Sequence, residues 1–223
     1  RGPVRALLMT SGEARLPVVV LISGSGTNLQ ALIDGAAAGQ PYRVCGALSN
    51  RPGVQGLDRA SAAGIPTQVL DHTAFTDRED FDAALGDAVE SFEPGLVVLA
   101  GFMRILGDAF VERFAGRMLN IHPSLLPAFQ GLHTHRRALE AGVTEHGASV
   151  HFVTSELDGG PVVAQARVPV EPGDTEAILG ARVLAREHEL LPQVVTWFAE
   201  RRLEMRDGQI RFDTLPLHAA LQC

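Results

Sequence analysis

A chain of 223 residues that is 46% hydrophobic and 20% charged has ordinary globular usage, which excludes a disordered or fibrous class. A formal net charge of −7 without any basic run excludes a nucleic-acid footprint. All 19 cationic side chains are Arg, so lysine Schiff-base chemistry is excluded, and an anion must be held by Arg, His, neutral donors or backbone N–H groups.

The start of the chain, residues 1–15, reads as an extension, with an apolar stretch too short for a signal peptide. Residues 17–23, PVVVLIS, form a β-branched apolar run, the pattern of a strand buried on both faces. Gly24, Ser25 and Gly26 follow, and TNLQALIDGAAAG then has helical spacing of Leu29, Leu32 and Ile33. A strand is predicted at 42–50, a helix in VQGLDRASAAG and a short strand at 65–70. Residues 77–92 read as an amphipathic helix with acids in its first turn, where they suit the helix dipole. A buried strand at 96–102, a short helix in DAFVERFAG and a strand in RMLNIH complete this half.

Beyond residue 130 the pattern changes. THRRALEAG reads as a helix, and residues 147–170 as two strands around a long turn. A long helix starts at TEAILG, with Pro192 expected to kink or break it. A hairpin around LEMRDGQIRF has Asp207-Gly208 as its turn. Alternating strands and helices predict an α/β fold: a single domain with a mostly parallel twisted sheet, helices on both faces and antiparallel additions in the C-terminal half. Its expected bounds are 16–223, in two halves, 16–115 and 116–223. No apolar run reaches the roughly 18 residues of a membrane span. Cys45 and Cys223 form no disulfide framework, which suits a reducing cytoplasm.

Three stretches carry candidate chemistry. SGSGTNLQ, 23–30, places a Gly-rich turn between strand and helix, a ready anion site. The glycines alone leave a tight capped turn equally open, and the lack of Lys favours the anion reading. Its spacing fits neither GxGxxG nor GxxxxGK[ST]. In MLNIHPSLLP, Asn120 and His122 lie at i and i+2 of a strand and point to one side. SELDGGPV, 155–162, offers Asp158 before two glycines; a plain β-turn is the commoner meaning of such a stretch. His133 and His135 lack a nearby third ligand, and His72 and His218 read as solvated surface.

Together ISGSGTNLQALID, LAGFMRIL, NIHPSLLP, GLHTHRRALE and ELDGGPV resemble the folate-dependent formyltransferase family, and within it the phosphoribosylglycinamide formyltransferases of purine synthesis. The likeness spans residue 17 to about 212 and implies a phosphate-binding half, 16–115, and a folate and catalytic half, 116–223. It implies a Rossmann-like fold and formyl transfer from 10-formyltetrahydrofolate to a glycinamide amine, with no metal required. It implies Asn120, His122 and Asp158 as catalytic residues, and Gly26, Thr27, Asn28 and Glu187 as the binding site for the phosphorylated amine. Arg78, Met103, Arg104, Ile105, Leu106 and Asn120 match folate-binding positions. The implied partners are small molecules, not nucleic acid or membrane, and the chain is expected as a monomer or homodimer. Formyltetrahydrofolate hydrolase, methionyl-tRNA formyltransferase and a non-catalytic binding module are the alternatives. The two enzymes usually carry a further domain, for which this chain is expected to have no room. Two positions depart from the family pattern: Ala128-Phe129-Gln130 lacks a frequent Lys, and Leu184 stands where a polar or basic residue is common.

Overall fold

The computed structural model describes residues 15–223; the extension expected over 1–15 lies, up to residue 14, outside the described residues. The elements in chain order are β1 (Leu16–Ile22), α1 (Thr27–Ala37), β2 (Tyr42–Ser49), α2 (Gln55–Ala62), β3 (Thr67–Val69), α3 (Arg78–Glu90), β4 (Leu96–Leu99) and α4 (Asp108–Arg113). There follow β5 (Met118–His122), α5 (Thr134–Glu140), β6 (Glu145–Phe152), β7 (Val162–Pro169), α6 (Glu176–Ala199), β8 (Leu203–Arg206), β9 (Gln209–Phe212), β10 (Leu215–Pro216) and β11 (Leu221–Gln222).

Eight strands form one sheet in the order β11-β7-β6-β5-β4-β1-β2-β3. Strands β1 to β5 run parallel to one another, whereas β6 is antiparallel to both β5 and β7. This is the mostly parallel α/β sheet expected, with its antiparallel additions in the C-terminal half. β1 shows why the apolar run was continuous. Val18, Val20 and Ile22 enter the core shared with α1 and α6, and Val19 and Leu21 enter the core shared with α3 and α4. Alternate side chains of a strand point to opposite faces, so a strand covered twice must be apolar throughout.

Because β1, β4 and β5 are parallel, the loops after them leave at one edge of the sheet. Ligands of open α/β sheets bind at that edge. β4 stops at Leu99, short of the strand expected to run to residue 102. Gly101 has φ +75°, outside the extended region, and this releases residues 100–107 from the sheet.

The interruption expected at Pro192 does not occur: α6 continues as one helix from Glu176 to Ala199. Leu190, Leu191, Val194 and Val195 are all buried around it, so packing on the sheet outweighs the one helical hydrogen bond that Pro192 lacks. The hairpin of β8 and β9 turns at Asp207 and Gly208, φ +52° and +75°, the two positive values that a two-residue type I′ turn needs.

Candidate active site

β5 places Leu119 and Ile121 in the core with α1 and α6, so Asn120 and His122 face the other way. The antiparallel register sets His151 directly opposite Asn120 and Ser149 opposite His122. Directly opposed side chains on one face touch: Asn120 Nδ2 lies 3.0 Å from His151 Nε2. His151 Nδ1 lies 2.9 Å from the Phe152 carbonyl, which can only accept. The His151 proton therefore sits on Nδ1, and Nε2 accepts from the Asn120 amide. Burial pushes the His151 imidazole down, which keeps this ring neutral. Asn120 is left with one amide N–H and its oxygen for the cleft.

β6 ends with Phe152 opposite Leu119, well below His122 along β5. The 153–161 turn then folds back to the strand end. There Asp158 Oδ2 lies 3.5 Å from His122 Nδ1, and Oδ1 lies 3.8 Å from His151 Nε2. The carboxylate also accepts the Gly131 N–H at 2.8 Å, which ties this turn to the loop after β5. Gly160 is required by close approach, since a Cβ there would sit 1.8 Å from the Phe152 carbonyl oxygen. Asp158 itself has φ +50°, a left-handed conformation that Asp tolerates better than most residues. His122 Nε2 donates to the Phe129 carbonyl at 3.0 Å. Both ring nitrogens thus face oxygen acceptors.

The loop that carries Phe129 is pinned below. Ser149 Oγ donates to the Ser124 carbonyl at 2.7 Å and accepts the Leu126 N–H at 3.0 Å, and Gln165 Nε2 donates to the Leu126 carbonyl at 2.9 Å. Beside Asn120 a cleft opens between residues 102–106 and the 153–158 turn. Leu106 is buried within it. Ile105 and Leu157 line it with about half of their surface exposed, and Met103, on the same segment, is 58% exposed. Exposed large apolar side chains gathered at a cleft mark a ligand surface. Arg104 stacks over the Phe81 ring, 4.5 Å from its centroid, and Arg78 stands one helical turn before Asp82 at the start of α3.

The Gly-rich turn lies at the same sheet edge. Gly26 has φ +69° and packs so closely on Gly56 that a Cβ would come within 2.4 Å of its Cα. No side chain caps α1, so its first-turn N–H groups lack a side-chain acceptor. Asn28 Nδ2 donates to Glu187 Oε2 at 2.7 Å, which joins the turn to α6. Glu187 is 6% exposed, and burial raises its carboxyl pKa while the Asn28 bond opposes the rise. Leu184, one turn earlier, supplies no polar group.

The site residues named from the sequence thus fall into two neighbouring groups. Asn120, His122 and Asp158 stand beside the cleft of residues 103–106. Gly26, Thr27, Asn28 and Glu187 surround the uncapped helix end. Sequence reasoning missed His151, whose role depends on strand register, and Arg59, whose Nε donates to the Ser25 carbonyl at 2.8 Å. Arg59 sits on α2 and brings a cation to the turn that lacks a lysine. His72, expected as solvated surface, is half-buried, with Nδ1 2.8 Å from the Asn50 carbonyl oxygen, because β2 ends against it.

A family model described as formyl transferase matches residues 16–195. The chain belongs to the formyl transferase family. It is 53% identical over 197 residues to a phosphoribosylglycinamide formyltransferase of Escherichia coli (strain K12), covering 88% of this chain and 93% of that one. It is 46% identical over 192 residues to the human trifunctional purine biosynthetic protein adenosine-3, covering 86% of this chain and 19% of that protein. The solved phosphoribosylglycinamide formyltransferase of Coxiella burnetii superposes with a TM-score of 0.90 at 49% identity, covering 93% of this chain and 99% of that one. Among the described residues no helix is long and apolar enough to cross a membrane.

Proposed function

We propose that this formyltransferase moves the formyl group of 10-formyltetrahydrofolate onto the amine of 5'-phosphoribosylglycinamide, as a step of purine biosynthesis, with Asn120, His122 and Asp158 as its catalytic residues. The observation that carries the reading is the convergence of these three side chains beside a cleft whose mouth is apolar, next to an uncapped helix end.

The amine attacks the formyl carbon, and the carbonyl oxygen takes up negative charge. The free amide N–H of Asn120 and an N–H of His122 stabilise that oxyanion; one such donor is worth roughly 3–4 kcal/mol. For His122 to reach it through Nε2, the Phe129 carbonyl must give way. The bond from the formyl carbon to the folate nitrogen then breaks. The proton lost by the amine reaches that nitrogen through His122 or a water held by Asp158. Proton movement and charge stabilisation both come from side chains of this chain, and no step requires a metal.

Gly26, Thr27 and Asn28 present backbone N–H groups to the substrate phosphate. Glu187 is placed to accept from the ribose hydroxyls, with its other oxygen bound by Asn28. Met103, Arg104, Ile105 and Leu106 hold the folate from one side, with Arg78 at the rim. The two substrates are small molecules, and the working setting is a reducing cytoplasm.

Incubation of the purified protein with 10-formyltetrahydrofolate and glycinamide ribonucleotide should give the formylated amide and tetrahydrofolate in equal amounts. Release of formate that does not depend on the amine would instead make the chain a hydrolase.

A further inference from the structure

Residues 100–107 cross from β4 to α4 outside the sheet. Ala100 and Leu106 are buried, but Met103 and Ile105 between them are more than half exposed and do not anchor the segment by packing. Its backbone is tied by side chains from other elements. The Met103 N–H donates to Ser23 Oγ at 2.8 Å, and the Gly107 N–H donates to Asp82 Oδ2 at 2.7 Å. Both acceptors are buried, at 4% and 6% exposure.

Each acceptor is itself held. The Ser23 hydroxyl donates to Asn50 Oδ1, which leaves its lone pairs for Met103. Asn50 is buried at the end of β2, its amide 3.4 Å from His72. Asp82 lies inside α3, with Arg78 Nε 3.7 Å away one turn earlier. Its Oδ1 is buried without a partner. Burying that oxygen unpaired is costly, and the Gly107 N–H on Oδ2 offsets part of the cost. Gly107 is close enough that a Cβ there would lie 3.0 Å from Asp82 Oδ2.

We propose that Ser23 and Asp82 are positioning residues for the one-carbon donor, clamping the two ends of the Met103–Gly107 segment so that its backbone and apolar side chains meet the folate in one conformation. The inference rests on the folate reading of Met103 to Leu106.

The test compares the wild type with Ser23→Ala, Asp82→Ala, Asp82→Asn and Gly107→Ala. Loss of a clamp should raise KM for 10-formyltetrahydrofolate about tenfold, a change matching one net hydrogen bond. The KM for the phosphorylated amine and kcat at saturation should stay within about twofold. Asp82→Asn keeps an acceptor oxygen and should recover most of the loss. Gly107→Ala retains both clamp residues and crowds Asp82 Oδ2 away from the Gly107 N–H, so it reads the Asp82 end if Asp82→Ala fails to fold. Calorimetric binding of tetrahydrofolate to the wild type separates the two layers. Wild-type binding with unchanged folate KM in the variants, or equal rises in both KM values, would overturn the clamp alone. A wild type that binds no folate removes the folate reading and this inference with it.

Discussion

Asp158 reaches His122 from a turn 36 positions along the chain, with Oδ2 3.5 Å from Nδ1, and the Gly131 N–H holds the same carboxylate oxygen at 2.8 Å. One oxygen therefore orients the imidazole and fastens the loop above it. Asp158→Asn should lower kcat by about 10²-fold or more, in the range of general acid–base effects. His122→Ala should do the same. Because the two act as a unit, the double variant should lose far less than the product of the single losses. Single-turnover rates for the three variants check this; independent, multiplying losses would show that the pair does not work together.

His151 fixes which way the Asn120 amide points. His151→Phe removes the acceptor for Asn120 without emptying the space. Formyl transfer should slow by about tenfold, while KM for both substrates changes little, because only the oxyanion donor is misaimed. Steady-state kinetics decide it, and a rise in KM with kcat unchanged would contradict the assignment.

At the amine site, Glu187→Gln and Arg59→Gln should both raise KM for the phosphorylated amine and leave the folate KM unchanged. They differ in one readout. Protection of the protein against heat by inorganic phosphate should weaken with Arg59→Gln, through the turn that Arg59 holds at the Ser25 carbonyl. Inorganic phosphate alone should protect the Glu187 variant as well as the wild type, since the carboxylate serves the sugar. Equal loss of phosphate protection in both variants would remove this division of labour.

His146 gives the fold an acid-sensitive point. Its ring is buried on β6 between Phe129 and His135, with His135 Nδ1 3.2 Å from its Nε2. Burial, and the nearby His135 and His122, push its pKa from 6.5 down to about 4. Between these values the unfolded chain carries a proton on this ring that the folded chain refuses. The unfolded state then binds more protons, so stability falls as pH drops from 6.5 to 4. The contribution is at most roughly 3–4 kcal/mol, at 1.36 kcal/mol per pKa unit. His135 and His151 are shifted in the same direction by burial, and Glu176 opposes this at His135. His146→Gln should flatten the acid limb of a urea-unfolding series, and an unchanged slope would place the sensitivity elsewhere.

Much of the fold was legible in the residues because its signals are local. The double-faced burial of β1 shows as an unbroken apolar run, and the β8–β9 turn shows as Asp-Gly. The candidate site was legible through motifs whose residues are neighbours in sequence, such as Asn120 with His122. Pro192 misled, because a local rule about helix breaking was outweighed by the burial of Leu190, Leu191, Val194 and Val195 on the sheet. Strand β4 was taken too far, since Leu99 to Phe102 is apolar throughout while Gly101 turns the chain out of the sheet. His151, whose alternation in SVHFV shows only that it shares a face with Ser149, and Arg59 were given no role for a related reason: nothing adjacent to either in the chain says what it faces.

By itself, then, the sequence determined the α/β class, most of the strands and helices, the formyltransferase family likeness and the absence of a lysine at the anion turn. These follow from periodicity, turn chemistry and residue identity, which act over a few positions. Only the tertiary structure decided that Asp158 meets His122, that the Asn120 amide is aimed by His151, that Asn28 holds Glu187 from 159 residues away, and that Ser23 and Asp82 grip the 103–107 segment. Each of these is a hydrogen bond or ion pair with a span of a few ångströms. It exists only when sheet order and strand register bring its distant partners to one edge.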